Sequence, residues 1–190
     1  MGTVDDLIEN YQKINVLLIE FGRAYYKVNV FNNSSIIKVK DLNLKYGKSL
    51  PKSKRNKGSV PLIASNGIID FSNSFNAKNA VVFGCRGTLG KVFFQQGECF
   101  VLNTAFFINN SSNYGNLFFA IDFQNGFVSY KSGAAQPQIT LEAINKSELL
   151  LLFDDKLNYI ISLHAQNQSI IKKLNKVKSI LLNKYFTNQQ

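Results

Sequence analysis

Residues 154–186 carry the pattern that most restricts how this chain can fold. Ile160, Leu163, Asn167, Ile170, Leu174, Val177 and Leu181 recur at alternating steps of three and four. That spacing lines one stripe of a helix, and a heptad stripe of this kind calls for a partner helix. No Gly or Pro interrupts it. At 1.5 Å per residue the helix would be roughly 50 Å long, more than a small compact domain needs. The opening segment supplies a mate, because Leu7, Tyr11, Ile14, Leu18, Phe21 and Tyr25 keep the same rhythm. Asn167 within the stripe is suited to fixing helix register at some cost in stability; a surface-facing Asn is the plain alternative. The expected fold is α+β. A β-rich domain (28–153) is held between an N-terminal helix (1–27) and a C-terminal helix (154–190) that pair as an antiparallel coiled coil.

With 190 residues, 45% of them hydrophobic, the chain can bury one sizeable core and still carry a helical appendage. The formal net charge of +10 favours an anionic partner. Its placement says more than its total. Between positions 38 and 57 stand Lys38, Lys40, Lys45, Lys48, Lys52, Lys54, Arg55 and Lys57 against Asp41 alone. A second basic group, Lys172, Lys173, Lys176, Lys178 and Lys184, lies on the closing helix. Cys85 and Cys99 are too few and too poorly spaced for a metal knuckle or a disulfide scaffold, which fits a reducing compartment. The N-terminus carries Asp5, Asp6 and Glu9 where a signal peptide needs positive charge, and no apolar run approaches membrane-spanning length. A cytoplasmic protein without membrane contact is expected.

Thr3 followed by Asp6 reads as a weak capping box for a helix ending near Tyr26, with Gly22 a tolerated cost. Ile36 to Lys40 alternates as a short strand. Residues 46–58 have no apolar stripe and read as a mobile loop. Its mixture of Lys, Arg, Ser and Asn supplies what phosphate contact requires, namely charge for counterion release and hydroxyls or amides for oriented bonds. A merely solvated lysine-rich loop has the same composition. Val60 to Ile69 reads as strand, Ser65-Asn66-Gly67 turn and strand. Ala80 to Phe83 leads into the glycine-punctuated turn 84–90, and strands follow over Lys91–Gln95, Cys99–Asn103 and Ala105–Ile108. Tyr114 to Phe123 fits a core helix or a strand equally. Thr140 is placed to cap a short helix, and Leu149 to Phe153 reads as a buried strand.

Catalytic chemistry is not legible. The 84–91 segment fails as a nucleotide phosphate loop, because five residues separate Gly84 from Gly90 and Val92 stands where Ser or Thr must hold magnesium. His164 is the sole histidine and lies mid-helix, so neither a nucleophile–His set nor a metal site can be built on it. Carboxylates in the middle domain are scattered, which argues against a two-metal nuclease. No cofactor or metal is expected.

The order of motifs carries a resemblance. Val60-Pro61-Leu62 with Ser65-Asn66-Gly67, then the turn 84–90 between strands, then 100–105, then 132–140, set between two spacer-like helices, resembles the DNA specificity subunit of type I restriction–modification systems. The resemblance covers nearly the whole chain. It implies a non-catalytic module that reads one half of a split site in double-stranded DNA. Its helices would dock methyltransferase subunits and, through them, the restriction subunit. There is room for one target-recognition domain only, which implies a half-subunit or fragment, with two copies pairing through their helices. The entry to the last helix, Phe153 to Leu157, lacks the family's proline-containing, Gln/Glu-rich pattern, which leaves the docking details open. Under this reading Arg86 suits guanine or phosphate, and Asn66, Asn103 and Gln136 suit adenine edges. Ser65 stands beside them, while Lys45, Lys48, Lys52, Lys54, Arg55 and Lys57 suit the DNA backbone. Turn formation or fold bracing is the alternative for Asn66, Asn103 and Gln136. The rival class is a protein- or carbohydrate-binding β domain with a coiled-coil oligomerisation tail.

Overall fold

The computed structural model describes residues 2–109 and 112–187, with side chains up to Tyr185. Positions 1 and 188–190 of the two expected terminal segments lie outside the described residues. Helix α1 spans Gly2–Asn33 and the closing helix, α4, spans Asp155–Thr187. They lie side by side and antiparallel. Lys178 pairs with Asp5 at 2.6 Å at one end. At the other, the Tyr25 hydroxyl donates to the Asp154 carboxylate at 2.5 Å.

Two details of α1 differ from the sequence reading. It begins at Gly2, so Thr3 lies inside the helix and does not cap it. It also runs past Tyr26 to Asn33. The extension follows from packing: Tyr26 and Val30 are both fully buried, and the Tyr26 hydroxyl donates to the Leu150 carbonyl. Tertiary burial thus overrides the weak local helix preference of the Val and Asn residues there. Arg23 adds a bidentate bond, with Nε and Nη2 donating to Asp122 at 2.8 and 2.9 Å.

Between the helices come β1 (Ser34–Lys38), β2 (Lys45–Tyr46), β3 (Val60–Ala64), β4 (Gly67–Ser72), β5 (Ala77–Gly84), β6 (Val92–Val101), β7 (Ala105–Ile108), α2 (Tyr114–Phe123), α3 (Leu141–Asn145) and β8 (Glu148–Leu152). Strand β1 pairs antiparallel with β8, Ser34 opposite Leu152. Since β1 leaves α1 and β8 enters α4, this ribbon pins the two helices together at their domain end. The other six strands form one sheet in the order β2-β7-β5-β6-β3-β4. All its neighbours are antiparallel except β3 and β6. The two apolar segments 91–95 and 99–103, read as separate strands, are one continuous β6 ending in a turn.

Strand alternation puts side chains on both faces of β5. Val81 and Phe83 join the main core with Phe106, Phe119, Phe127 and Ile139, while Ala80 and Val82 join a second cluster with Ile63, Val101 and Phe107. The segment 114–123 is a helix, buried from Gly115 through Ile121. It packs against α1, α4 and the sheet at once, which explains why it is apolar all round and shows no clear period. Thr140 caps α3, its hydroxyl accepting the Ala143 N–H at 3.2 Å.

Candidate functional site

At one end of the sheet, turns from distant parts of the chain converge. The N–H groups of Cys85 and Arg86 both donate to the Thr104 carbonyl, at 2.9 and 3.1 Å. The Ser65 N–H donates to the Thr104 hydroxyl at 3.2 Å. The Ile139 N–H reaches the Cys85 carbonyl at 2.9 Å, and Gln138 forms isolated β-bridges with Arg86 and Ser132. The β3–β4 turn, the β5–β6 loop, the β6–β7 turn and the 132–138 loop are therefore one assembly. It brings together Asn66, Arg86, Asn103 and Gln136, all four exposed. None of the four side chains is committed to a hydrogen bond or ion pair among the described residues. Ser65 differs: its side chain is buried beneath the turn, a bracing position and not a contact surface.

Lys48 links this assembly to the basic loop. Its N–H donates to the Val101 carbonyl at 2.9 Å, beside the turn that holds Asn103. The loop is more ordered than its composition suggests. Leu50 is buried with Leu62, Phe100 and Leu102, and Lys52–Lys54 form a 3-10 turn. Arg55 points inward, Nε and Nη2 donating to the Leu50 carbonyl at 3.1 and 3.0 Å. It braces the loop while the lysines face solvent. From Lys48 beside Leu102 the loop passes Leu50, which packs with Leu62 of β3, and reaches Ser53, Lys54 and Lys57 next to Asn73 and Ser74, just past the β4 residue that pairs with the start of β3. Lys45, Lys48, Lys52, Lys54 and Lys57 are exposed along this path, and none has a carboxylate partner among the described residues. Unpaired ammonium groups in a row attract a polyanion through counterion release.

The helical pair presents a different chemistry. In α1 the buried positions are Ile8, Asn15, Gly22, Tyr26 and Val30. Tyr11, Leu18 and Tyr25 are half-buried beside them. In α4, Leu157, Ile160, Ile161 and Ala165 are buried, and Leu163, Asn167, Ile170 and Leu174 are half-buried. Five residues expected in the seam lie outside it: Leu7, Ile14 and Phe21 are 47, 45 and 60% exposed, and Val177 and Leu181 are 45% exposed each. On α1 the displaced residues join Leu17, Val28 and Phe31, exposed by 62, 75 and 71%, in an outward apolar ridge. An open groove of about 460 Å³ between the helices is lined by Gln12, Asn15, Glu20, Arg23, His164 and Gln168, among others. The Asn15 Oδ1 is buried without a partner among the described residues. Burial in the same groove pushes the His164 pKa down.

Reactive chemistry is faint elsewhere. Burial pushes the Cys85 thiol up to about 11 and the Cys99 thiol up to about 12, so both stay protonated and unreactive at neutral pH. Among the described residues, no group of three His, Cys, Asp or Glu is placed to hold a metal ion, and no helix is long and apolar enough to cross a membrane. The ridge on α1 and the orphan Asn15 went unpredicted; the ridge contains Leu7, Ile14 and Phe21 of the expected stripe, turned outward, while the buried Ile8, Asn15 and Gly22 lie one residue out of phase with them.

The model of the type I restriction modification DNA specificity domain matches residues 25–184. A comparison with curated proteins finds no match. Among solved structures, the S subunit of a type I restriction–modification system from M. genitalium is similar with a TM-score of 0.66 at 15% identity, over 98% of this chain and 56% of that one. A chain from a structure of type I R-M complex assembly and conformational transition gives a TM-score of 0.53 at 11% identity, over 96% of this chain and 55% of that one. The HsdS subunit from Thermoanaerobacter tengcongensis gives 0.51 at 12% identity, over 93% and 51%. The chain thus spans about half the length of the structures it matches.

Proposed function

The chain belongs to the type I restriction–modification DNA specificity domain family, and from that membership we propose that it reads one half of a split target in double-stranded DNA without catalysing a reaction itself. The observation that carries this reading is the row of unpaired lysines, Lys45 to Lys57, leading to the exposed turn assembly of Asn66, Arg86, Asn103 and Gln136. The lysines engage the DNA backbone and position the domain; the turn assembly meets base edges. Ser65 and Arg55 act one step behind, holding the turn and the loop in shape.

The helices serve partners. The α1 ridge offers an apolar face for burial, and the groove between the helices holds an oxygen, Asn15 Oδ1, with no donor among the described residues. A methyltransferase subunit docks here and brings the restriction subunit with it. Two copies paired through their helices form one reader of a symmetric, split site. Such a complex works in the cytoplasm, where it meets DNA.

Fluorescence anisotropy with random-sequence duplex across a salt series tests the reading, with sedimentation to fix the oligomeric state. The expected log–log slope is on the order of −4 or steeper, since each phosphate contact contributes about −0.9. A dimer in sedimentation supports the paired reader. Weak, salt-insensitive binding would instead fit a protein- or carbohydrate-binding domain and sink the proposal.

A further inference from the structure

The far end of the basic loop closes on a cleft of about 220 Å³ lined by Ser53, Lys54, Lys57, Asn73 and Ser74. It lies at the opposite end of the β3–β4 hairpin from the Ser65-Asn66 turn, because Val60 pairs with Ser72 while Ala64 pairs with Gly67. Its volume falls below the roughly 300–1,000 Å³ of ordinary small-molecule pockets, which leaves room for a compact anionic group and not for a nucleobase with its sugar.

Three features make the cleft a built site. Gly58 sits at φ +91°, and a Cβ there would fall 2.5 Å from the Ser72 carbonyl oxygen, so only glycine lets the loop and the exit of β4 approach this closely. The Ser72 hydroxyl donates to the Ser74 carbonyl at 2.6 Å and accepts the Ser74 N–H at 3.3 Å, fixing the turn that presents Asn73 and Ser74. Asp70 braces the loop from the neighbouring strand: its Oδ1 accepts the N–H of Phe71 at 2.7 Å and of Asn56 at 3.2 Å, and it forms no ion pair with the loop lysines among the described residues. Lys54 and Lys57 line the cleft with no carboxylate partner among the described residues.

We propose that this cleft seats one backbone phosphate of the DNA, with Lys54 and Lys57 supplying charge and Ser53, Asn73 and Ser74 supplying oriented donors. The seat rests on the DNA-reading proposal and adds a fixed anchor at the end of the lysine row remote from the base-reading turns. Asn73 and Ser74 become DNA contacts that no charge pattern marks.

Two measurements on the full chain separate the seat from the wider reading. In the duplex salt series, the double variant Lys54→Gln/Lys57→Gln loses about 1 unit of log–log slope, the value for one phosphate, whereas Lys78→Gln/Lys146→Gln, exposed lysines off the loop, leaves it unchanged. In ¹⁵N-resolved NMR with inorganic phosphate as probe, the Asn73 and Ser74 signals shift in the wild type and stay put in the double variant. DNA binding with an unaltered slope and silent Asn73 and Ser74 signals overturns the seat alone. Phosphate shifts without any DNA binding uphold an anion seat and overturn the DNA reading. Silence in both experiments overturns both.

Discussion

Gly22→Ala sets two opposing effects against each other, and the structure decides the sign. Replacing Gly by Ala within a helix gains up to about 1 kcal/mol of intrinsic propensity. At this position, however, an added Cβ would lie 2.1 Å from the Phe119 Cζ and 2.6 and 2.8 Å from its two Cε atoms. Carbon atoms at ease stand about 3.5–4.0 Å apart. The ring has little freedom to retreat: Phe119 is 1% exposed and its ring meets that of Phe118 edge-on at 5.1 Å. Overpacking of this kind costs about 1–3 kcal/mol and sometimes more. A contact this short on a ring this confined lies at the upper end of that cost, so the expected net loss is about 2 kcal/mol, which for a chain of this size lowers Tm by roughly 4–8 °C. Urea denaturation followed by circular dichroism measures it. A companion cycle adds Phe119→Leu, which trims the ring and relieves the clash, so the double variant should lose less than the sum of the singles. A Gly22→Ala protein as stable as wild type, or strictly additive losses, would refute the close-approach argument.

Asn15→Leu removes a buried, unpartnered oxygen from the helix seam. The isolated chain should gain about 1–3 kcal/mol, the cost such a group imposes. Its binding to a methyltransferase subunit should weaken, because the partner's donor loses its acceptor; pull-down and urea titration read the two halves, and a destabilised variant would count against the reading. His164 gives a pH prediction. Burial lowers its folded pKa, so as pH falls below about 6.5 the unfolded chain takes up the proton first and stability declines. His164→Gln should flatten that decline between pH 7.5 and 5.5. Asp154, held low chiefly by the Tyr25 hydroxyl, and Glu9, held low by Lys13, do not titrate in this window. An identical pH slope in the variant would assign the effect elsewhere.

The strands and turns were legible because they depend on local chemistry. Ser65-Asn66-Gly67 forms its turn with Gly67 at φ +120°, and Thr140 caps where an N-cap Thr should. What sequence could not supply was the assembly of turns. Nothing local indicates that the Thr104 carbonyl gathers the N–H groups of both Cys85 and Arg86. The basic loop shows the same limit in reverse. Its lysines were plain, yet Arg55 looked like one more cation until its bond to the Leu50 carbonyl fixed it as a brace.

The misplaced stripe on α1 is the more instructive case. Periodicity identified a helix that pairs, but α1 carries two seven-residue series one position apart, and hydrophobicity alone favours the one that faces outward. Leu7, Ile14 and Phe21 outrank Ile8, Asn15 and Gly22 on any transfer scale, yet the second set is buried against the rest of the chain. The weaker set wins inside for geometric reasons: Gly22 admits the Phe119 ring, and close approach there matters more than side-chain area. A polar Asn15 is then tolerated in the seam only if something supplies its missing donor. The stronger set, left outside, forms a ridge with Leu17, Val28 and Phe31 that water does not favour. Both anomalies resolve if the two-helix rod is a component of a larger helical assembly. In that case the residues that looked like errors of phase are the ones chosen for a partner.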